Sequence, residues 1–472
     1  MFAKTEPAML TPEKAELLQS FLGSLPERMA ARLAKAVEVD RLADGIGLPH
    51  EIILEGLRPV LRKCETPQRT PDSLRLFCLP FEDLLFCGKR KDKQKGRILR
   101  SSIAPVWNWL AGTLLAQETR SYREEIKSLV LAYKLEEALE CASKFWPVAG
   151  ETLRAAIAKD GKAARAMLGG DLVLGDAEDM FLLLCAGPAM VEVQHMLPKP
   201  VPALTDELLW SLRRIYDRVA ESVLDAAPYV PVVAMARLAK PWEALKLALL
   251  VTHQTQDTLI SSTDMGLVGD ILFDRLEECR TAIHATRHPI FDVAALLENL
   301  TGFTDISSCI VKEVEILRRG KWGQRLLKDR AAVGAVMDGF MERAPKEIAA
   351  AFPSQKTGFT GSSRVSDFSR PADPERVERA LRYARLMDGC RRLAAAASFG
   401  AKLQDAVDEA TLTLRGYNED VVKELRTAAG ARRAVAEQQF ELAAELTALL
   451  FSPEEADFLR RRGKAALASA AA

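Results

Sequence analysis

Apolar residues recur along most of this chain at spacings of three and four, the period of helices that bury one face, and strictly alternating stretches are scarce. Start signals accompany the pattern. Thr11-Pro12-Glu13, Asp373-Pro374-Glu375 and Ser452-Pro453-Glu454 each join a capping oxygen, a proline at the first helical position and an acid facing the positive helix end. Ser24/Glu27, Ser121/Glu124 and Ser452/Glu455 have capping-box spacing. The pattern predicts three N-terminal helices over roughly 12–22, 26–43 and 49–62, punctuated by Gly23, Pro26, Gly45, Gly47 and Pro49. Leu74 to Leu79 is the one short run that reads as extended.

From about 103 to 350, helical stretches alternate with breaks such as Pro147, Gly161, Gly169-Gly170, Pro188 and Pro289, the layout of stacked antiparallel helix pairs. No side-chain signature recurs at a fixed period, so the expectation is all-α: a multi-helix antiparallel bundle or an irregular α-solenoid. Pro353 to Ala372 is dense in Ser, Gly and Thr and reads as a flexible linker. Beyond it Leu386, Cys390, Leu393, Ala397, Gly400, Leu403, Val407, Ala410 and Leu414 form a seam on one helix about 60 Å long, at 1.5 Å per residue. Arg415-Gly416-Tyr417-Asn418 then predicts a turn into a second long helix carrying Val422, Leu425, Ala429, Ala436, Ala443 and Leu446. The expected segments are 1–100, a helical subdomain with a basic loop; 101–352, the main helical domain; 353–372, the linker; and 373–472, a long helical hairpin or coiled-coil arm.

Composition adds bounds. The 472 residues suit about two to four domains at roughly 150 residues each, and 48% hydrophobic content suffices for a large core. With 65 basic and 65 acidic residues, a uniformly basic polyanion binder is excluded. Eight scattered cysteines, none in a CxxC pair, read as reduced thiols of a cytoplasmic protein. The N-terminus lacks the apolar core of a signal peptide. The apolar stretches Ile103 to Ala116 and Met180 to Val191 fall short of the ~20 residues of a membrane span.

Against that neutral background one run departs sharply. Residues 89–100 carry Lys89, Arg90, Lys91, Lys93, Lys95, Arg97 and Arg100, and such a block must lie in solvent or meet an anion: nucleic acid, an acidic protein or an anionic surface. The stretch after it places Ile103, Val106, Trp107, Leu110 and Leu114 on one helical face, a core pattern. A second cluster, Arg318, Arg319, Lys321 and Arg325 around Trp322, suits cation–π packing or anion contact. Glu277, His284 and His288 have the spacing of a helical metal site but lack a complete ligand set. Asp171, Asp176, Glu178 and Asp179 read as a turn and the acidic start of a helix from Met180. GxGxxG, GxxxxGK[ST], GxSxG and DxDxDG motifs are missing from the sequence, and no cofactor is expected.

The sequence therefore points to a non-enzymatic helical scaffold or adaptor. Protein partners would meet the C-terminal hairpin, an anionic partner the basic run, and the chain could self-associate. Two alternatives stand beside it: a nucleic-acid-binding regulator using residues 89–100 with 318–330, and a metal-dependent helical enzyme at His284/His288.

Overall fold

A computed structural model describes residues 12–42, 48–61, 71–88, 93–286, 288–357 and 363–469. It is all-α, with 21 α-helices among the described residues. The chain divides into two compact units, 1–247 and 248–472. No helix among the described residues is long and apolar enough to cross a membrane.

The first unit opens with α1 (Pro12–Gly23), α2 (Glu27–Leu42) and α3 (His50–Leu61), close to the helices expected there. Leu22, Ala30, Ala34, Leu57, Val60 and Leu61 form their shared core. His50 Nε2 hydrogen bonds with Asp40 Oδ2 at 2.8 Å and joins α2 to α3. There follow α4 (Ser73–Cys78), a 3₁₀ turn (Leu79–Leu84) and the parallel pair β1 (Leu85–Phe86) and β2 (Ile98–Leu99). Helices α5 (Ile103–Trp109), α6 (Ala116–Leu131), α7 (Leu135–Lys159), α8 (Gly161–Leu168), α9 (Asp171–Cys185), α10 (Gly187–Met196), α11 (Asp206–Ser222) and α12 (Tyr229–Met235) complete the unit.

Three local expectations differ from the structure here. Leu74 to Leu79 is not extended: Asp72 Oδ1 accepts the Arg75 amide at 2.7 Å and caps α4, and Leu76, Phe77 and Cys78 are buried along it. Ser121 caps nothing, because α6 begins at Ala116. Pro147 does not break α7, whose flanking Phe145, Trp146, Ala149 and Gly150 are buried, so packing outweighs the missing amide bond. Close contact with α9 explains Gly150, where a Cβ would come within 2.8 Å of the Cys185 amide nitrogen.

Helix α13 (Leu245–Thr252) carries the chain across the division. The second unit contains α14 (Asp257–Ile260), α15 (Gly266–Ala285), α16 (Val293–Glu313), α17 (Lys321–Ala350), the antiparallel strands β3 (Ser354–Thr357) and β4 (Ser363–Ser366), α18 (Pro374–Cys390), α19 (Gly400–Thr427), α20 (Gly430–Leu450) and α21 (Pro453–Ser469). Helix α17 packs against α15, α18 and α19, while α20 and α21 pack against α19. Buried Asp257 accepts from the amides of Leu317 at 3.2 Å and Gly323 at 3.3 Å, pinning the entry to α17. Gly320 is needed at that entry: a Cβ there would lie 2.2 Å from Asp257 Oδ2.

The C-terminal helices have different bounds from those expected. The continuous helix expected from 373 breaks after Cys390, where Ser398 takes a left-handed conformation (φ 66°) and Phe399 is buried; that burial outweighs the helix preference of the alanine run. Arg415-Gly416-Tyr417-Asn418 is not a turn but the middle of α19, because Leu414, Tyr417 and Asn418 are all buried against neighbours. Tyr417 OH hydrogen bonds to Gln439 of α20, whose Nε2 donates to the Arg370 carbonyl at 2.8 Å. Four helices therefore stand where two long ones were expected. Within 353–372 the described residues include the β3–β4 pair, with Ser366 Oγ donating to Asp420 at 2.9 Å.

Candidate anion-binding cleft

A cleft of about 540 Å³ in the first unit gathers arginines from three separate parts of its sequence: Arg41 and Arg58 from α2 and α3, Arg75 from α4, and Arg100 after β2. Leu54, Leu61 and Leu74 give it apolar wall. The walls around these arginines are built from local capping and long-range polar contacts.

Helix α4 is short, and a six-residue helix has little stability of its own. Side chains from three other helices hold it. Tyr122 OH donates to the Ser73 carbonyl at 2.9 Å, Trp146 Nε1 to Leu76 at 2.9 Å, and Gln194 Nε2 to Leu79 at 2.8 Å. Beneath it Phe77 packs 4.8 Å from Trp107, while Tyr122 and Phe145 stack at 4.2 Å. Trp107 is thus a core residue, as its helical spacing predicts, together with buried Ile103, Val106 and Leu110. The arrangement fixes the backbone that carries Arg75.

Arg100 is held differently. Asp176, wholly buried inside α9, accepts from the Leu99 amide at 3.3 Å, from Ser102 Oγ and from Lys93 Nζ, so the residues on either side of Arg100 are tied to one carboxylate. Lys93 also lies 3.9 Å from Asp179, which hydrogen bonds to Tyr229 OH. Burial raises the Asp179 pKa above its ordinary value, with the Tyr229 bond and the Lys93 charge opposing. On the following 3₁₀ turn, Asp83 pairs with Arg237 at 2.6 Å and Lys199 at 3.3 Å, and its carbonyl accepts from Arg97 at 3.0 Å.

These contacts sort the basic run. Lys89, Arg90 and Lys91 lie outside the described residues. Lys93 and Arg97 bind the fold itself, and Lys95 is also engaged. Arg100 is the member that lines the cleft. The guanidiniums of Arg41, Arg75 and Arg100 have no hydrogen-bond or ion-pair partner among the described residues, and Arg75 Nη1 is buried without one. Arg58 has only a long, exposed contact with Glu55 at 3.7 Å.

Three carboxylates share the same walls: Asp72, which caps α4, Glu38, which is also engaged, and Glu82. Cys78 also lines the cleft. Its thiol is pushed up to about 12, first by burial and then by Glu82 and Asp72, with Arg100 opposing. It therefore stays protonated at neutral pH, in the state that is a poor nucleophile.

The second unit treats its basic cluster in another way. Arg325 pairs with Asp274 and Glu277, both at 3.0 Å, and lies over the Phe273 ring at 5.4 Å; Lys321 lies 3.4 Å from Asp270. Trp322 is buried beside Phe273, while Arg318 and Arg319 are exposed. The three metal candidates are not brought together. Glu277 is held by Arg280 and Arg325, and α15 ends at Ala285, so His288 lies beyond the helix that carries His284. His288 packs with Phe291, Phe340 and Tyr383 and hydrogen bonds with Tyr383 OH at 2.7 Å. Burial and the nearby Arg343 lower its pKa, with Glu347 opposing. No cluster of three or more His, Cys, Asp or Glu suited to a metal occurs among the described residues.

The fold and cleft define an all-α protein whose first unit holds a cavity lined by four arginines and three acidic residues. No protein-family model, curated protein or solved structure matches the chain.

Proposed function

We propose that this chain is a non-enzymatic helical scaffold or adaptor that receives an anionic partner in the arginine cleft of its first unit. One observation carries the reading: three arginines from distant parts of the sequence line one cavity and, among the described residues, their guanidiniums make no ion pair, although Glu38, Asp72 and Glu82 line it too. Grouping like charges is unfavourable unless an anion completes the arrangement. The surrounding polar residues support a docking role, since Asp176, Asp83, Trp146 and Gln194 spend their hydrogen bonds on backbone and on neighbouring side chains.

A protein partner meets the C-terminal helices in this reading, where Leu412 of α19 and Phe458 of α21 remain exposed. None of the seven described cysteines forms a disulfide, which suits a reducing compartment such as the cytoplasm. The test is comparative capture from the native cell, using the full chain and an Arg41→Ala/Arg75→Ala/Arg100→Ala variant checked for its fold. Loss of specific partners from the variant is expected. An unchanged set of partners contradicts docking through the cleft.

A further inference from the structure

Resting on the docking reading, we infer that the cleft is a receptor for a phosphate monoester. A carboxylate offers two oxygens and is satisfied by one guanidinium in fork geometry, whereas a phosphate monoester presents three terminal oxygens and about two charges near neutral pH. Arg41, Arg75 and Arg100 line one cleft from separate elements, and the larger anion has oxygens enough for all three. Arg75 also has a buried Nη1 donor without a partner, whose lost solvation a bound oxyanion would recover if the side chain turned to meet it.

Shape and charge narrow the ligand further. A cleft of about 540 Å³ has the size of a pocket for one compact group and its attachment. A nucleic-acid backbone needs a continuous basic track. Here Glu38, Asp72 and Glu82 interrupt the wall and disfavour a long polyanion. Leu54, Leu61 and Leu74 supply apolar surface for whatever carries the phosphate. A phosphorylated side chain of a protein and a free phosphorylated metabolite share this chemistry.

The experiment titrates the full chain calorimetrically with phenyl phosphate, with benzoate as its carboxylate counterpart, and with a polyglutamate peptide. Saturable binding of phenyl phosphate is expected, weakened at least tenfold by Arg75→Gln and separately by Arg100→Gln, and unchanged by Arg325→Gln. The exposed Arg100 gives a second variant that leaves the interior intact, and circular dichroism confirms the fold of each. Affinity should rise between pH 5 and pH 7 as the second phosphate proton leaves, at a pKa of about 6.

If benzoate or polyglutamate binds in an Arg75-dependent way while phenyl phosphate does not, the phosphate assignment fails and the docking reading stands. If none of the three binds, or if binding ignores both arginines, the phosphate assignment fails and the cleft loses its anion role. A degenerate phosphotyrosine peptide pool set against glucose 6-phosphate then separates the sources. Tighter Arg75-dependent binding of the peptides assigns a phosphorylated protein, and the reverse order assigns a metabolite; failure of both overturns the inference.

Discussion

The cleft of the first unit and the α15–α17 face of the second both gather basic residues, yet they treat those charges differently. On the second, Asp270, Asp274 and Glu277 sit across from Lys321 and Arg325, so the charges are answered from within the chain. In the first, Arg41, Arg75 and Arg100 make no such pair among the described residues, although Glu38, Asp72 and Glu82 line the same cleft, and the buried carboxylate of Asp176 is spent on Lys93. Basic residues alone therefore do not mark a binding site. What matters is which carboxylates the tertiary structure delivers, and at what burial.

Removing the buried carboxylate should cost the first unit most. Asp176→Asn leaves Lys93, with its 19% exposed side chain, only the long 3.9 Å contact to Asp179, and should destabilise the first unit by about 3 kcal/mol in urea unfolding. Anion binding at Arg100 should weaken with it. A change under about 1 kcal/mol would mean that the network does not support the cleft.

Arg75→Met should have the opposite sign. It removes a buried donor without a partner, so the unliganded unit should gain about 1 kcal/mol while losing its anion affinity. Arg325→Ala should behave as an ordinary partly exposed ion pair, costing about 0.5–1 kcal/mol with anion binding intact. Thermal unfolding with and without phenyl phosphate separates the two variants.

The smallest expected effect is in pH dependence, where the units again differ. Asp179 has a raised pKa in the fold, so its contribution is present below the ordinary value of 3.8 and is lost as pH rises through the raised one. His288 has a lowered pKa, so its contribution is present above 6.5 and is lost as pH falls through the lowered value. Hydrogen exchange followed separately in each unit should show these opposite trends. Asp179→Asn and His288→Gln should flatten them.

Much of the fold was legible because it is local. Asp373 and Ser452 act as caps through the Glu375 and Glu455 amides, and the first three helices fall where their punctuation placed them. Features decided by distant contacts were not legible. Pro147 stays helical because its neighbours are buried, and the alanine run before Phe399 breaks because that ring is buried.

The site follows the same division. Arg100 stood out through its basic neighbours, whereas Arg41 lies in ordinary helical sequence and Arg75 in the run that reads as extended, and both join it only in the folded unit. Asp176 looked like part of an acidic helix start. Its role depends on Lys93, 83 residues away in sequence.

The central claim is that the arginine cleft, and not the paired basic face, receives the anion. A crystal structure of the full chain grown with tungstate, a phosphate-like oxyanion located by its anomalous scattering, tests this directly. The account predicts a peak within hydrogen-bond distance of the Arg75 and Arg100 guanidiniums. An empty cleft, with tungstate bound only beside Lys321 and Arg325, would contradict it.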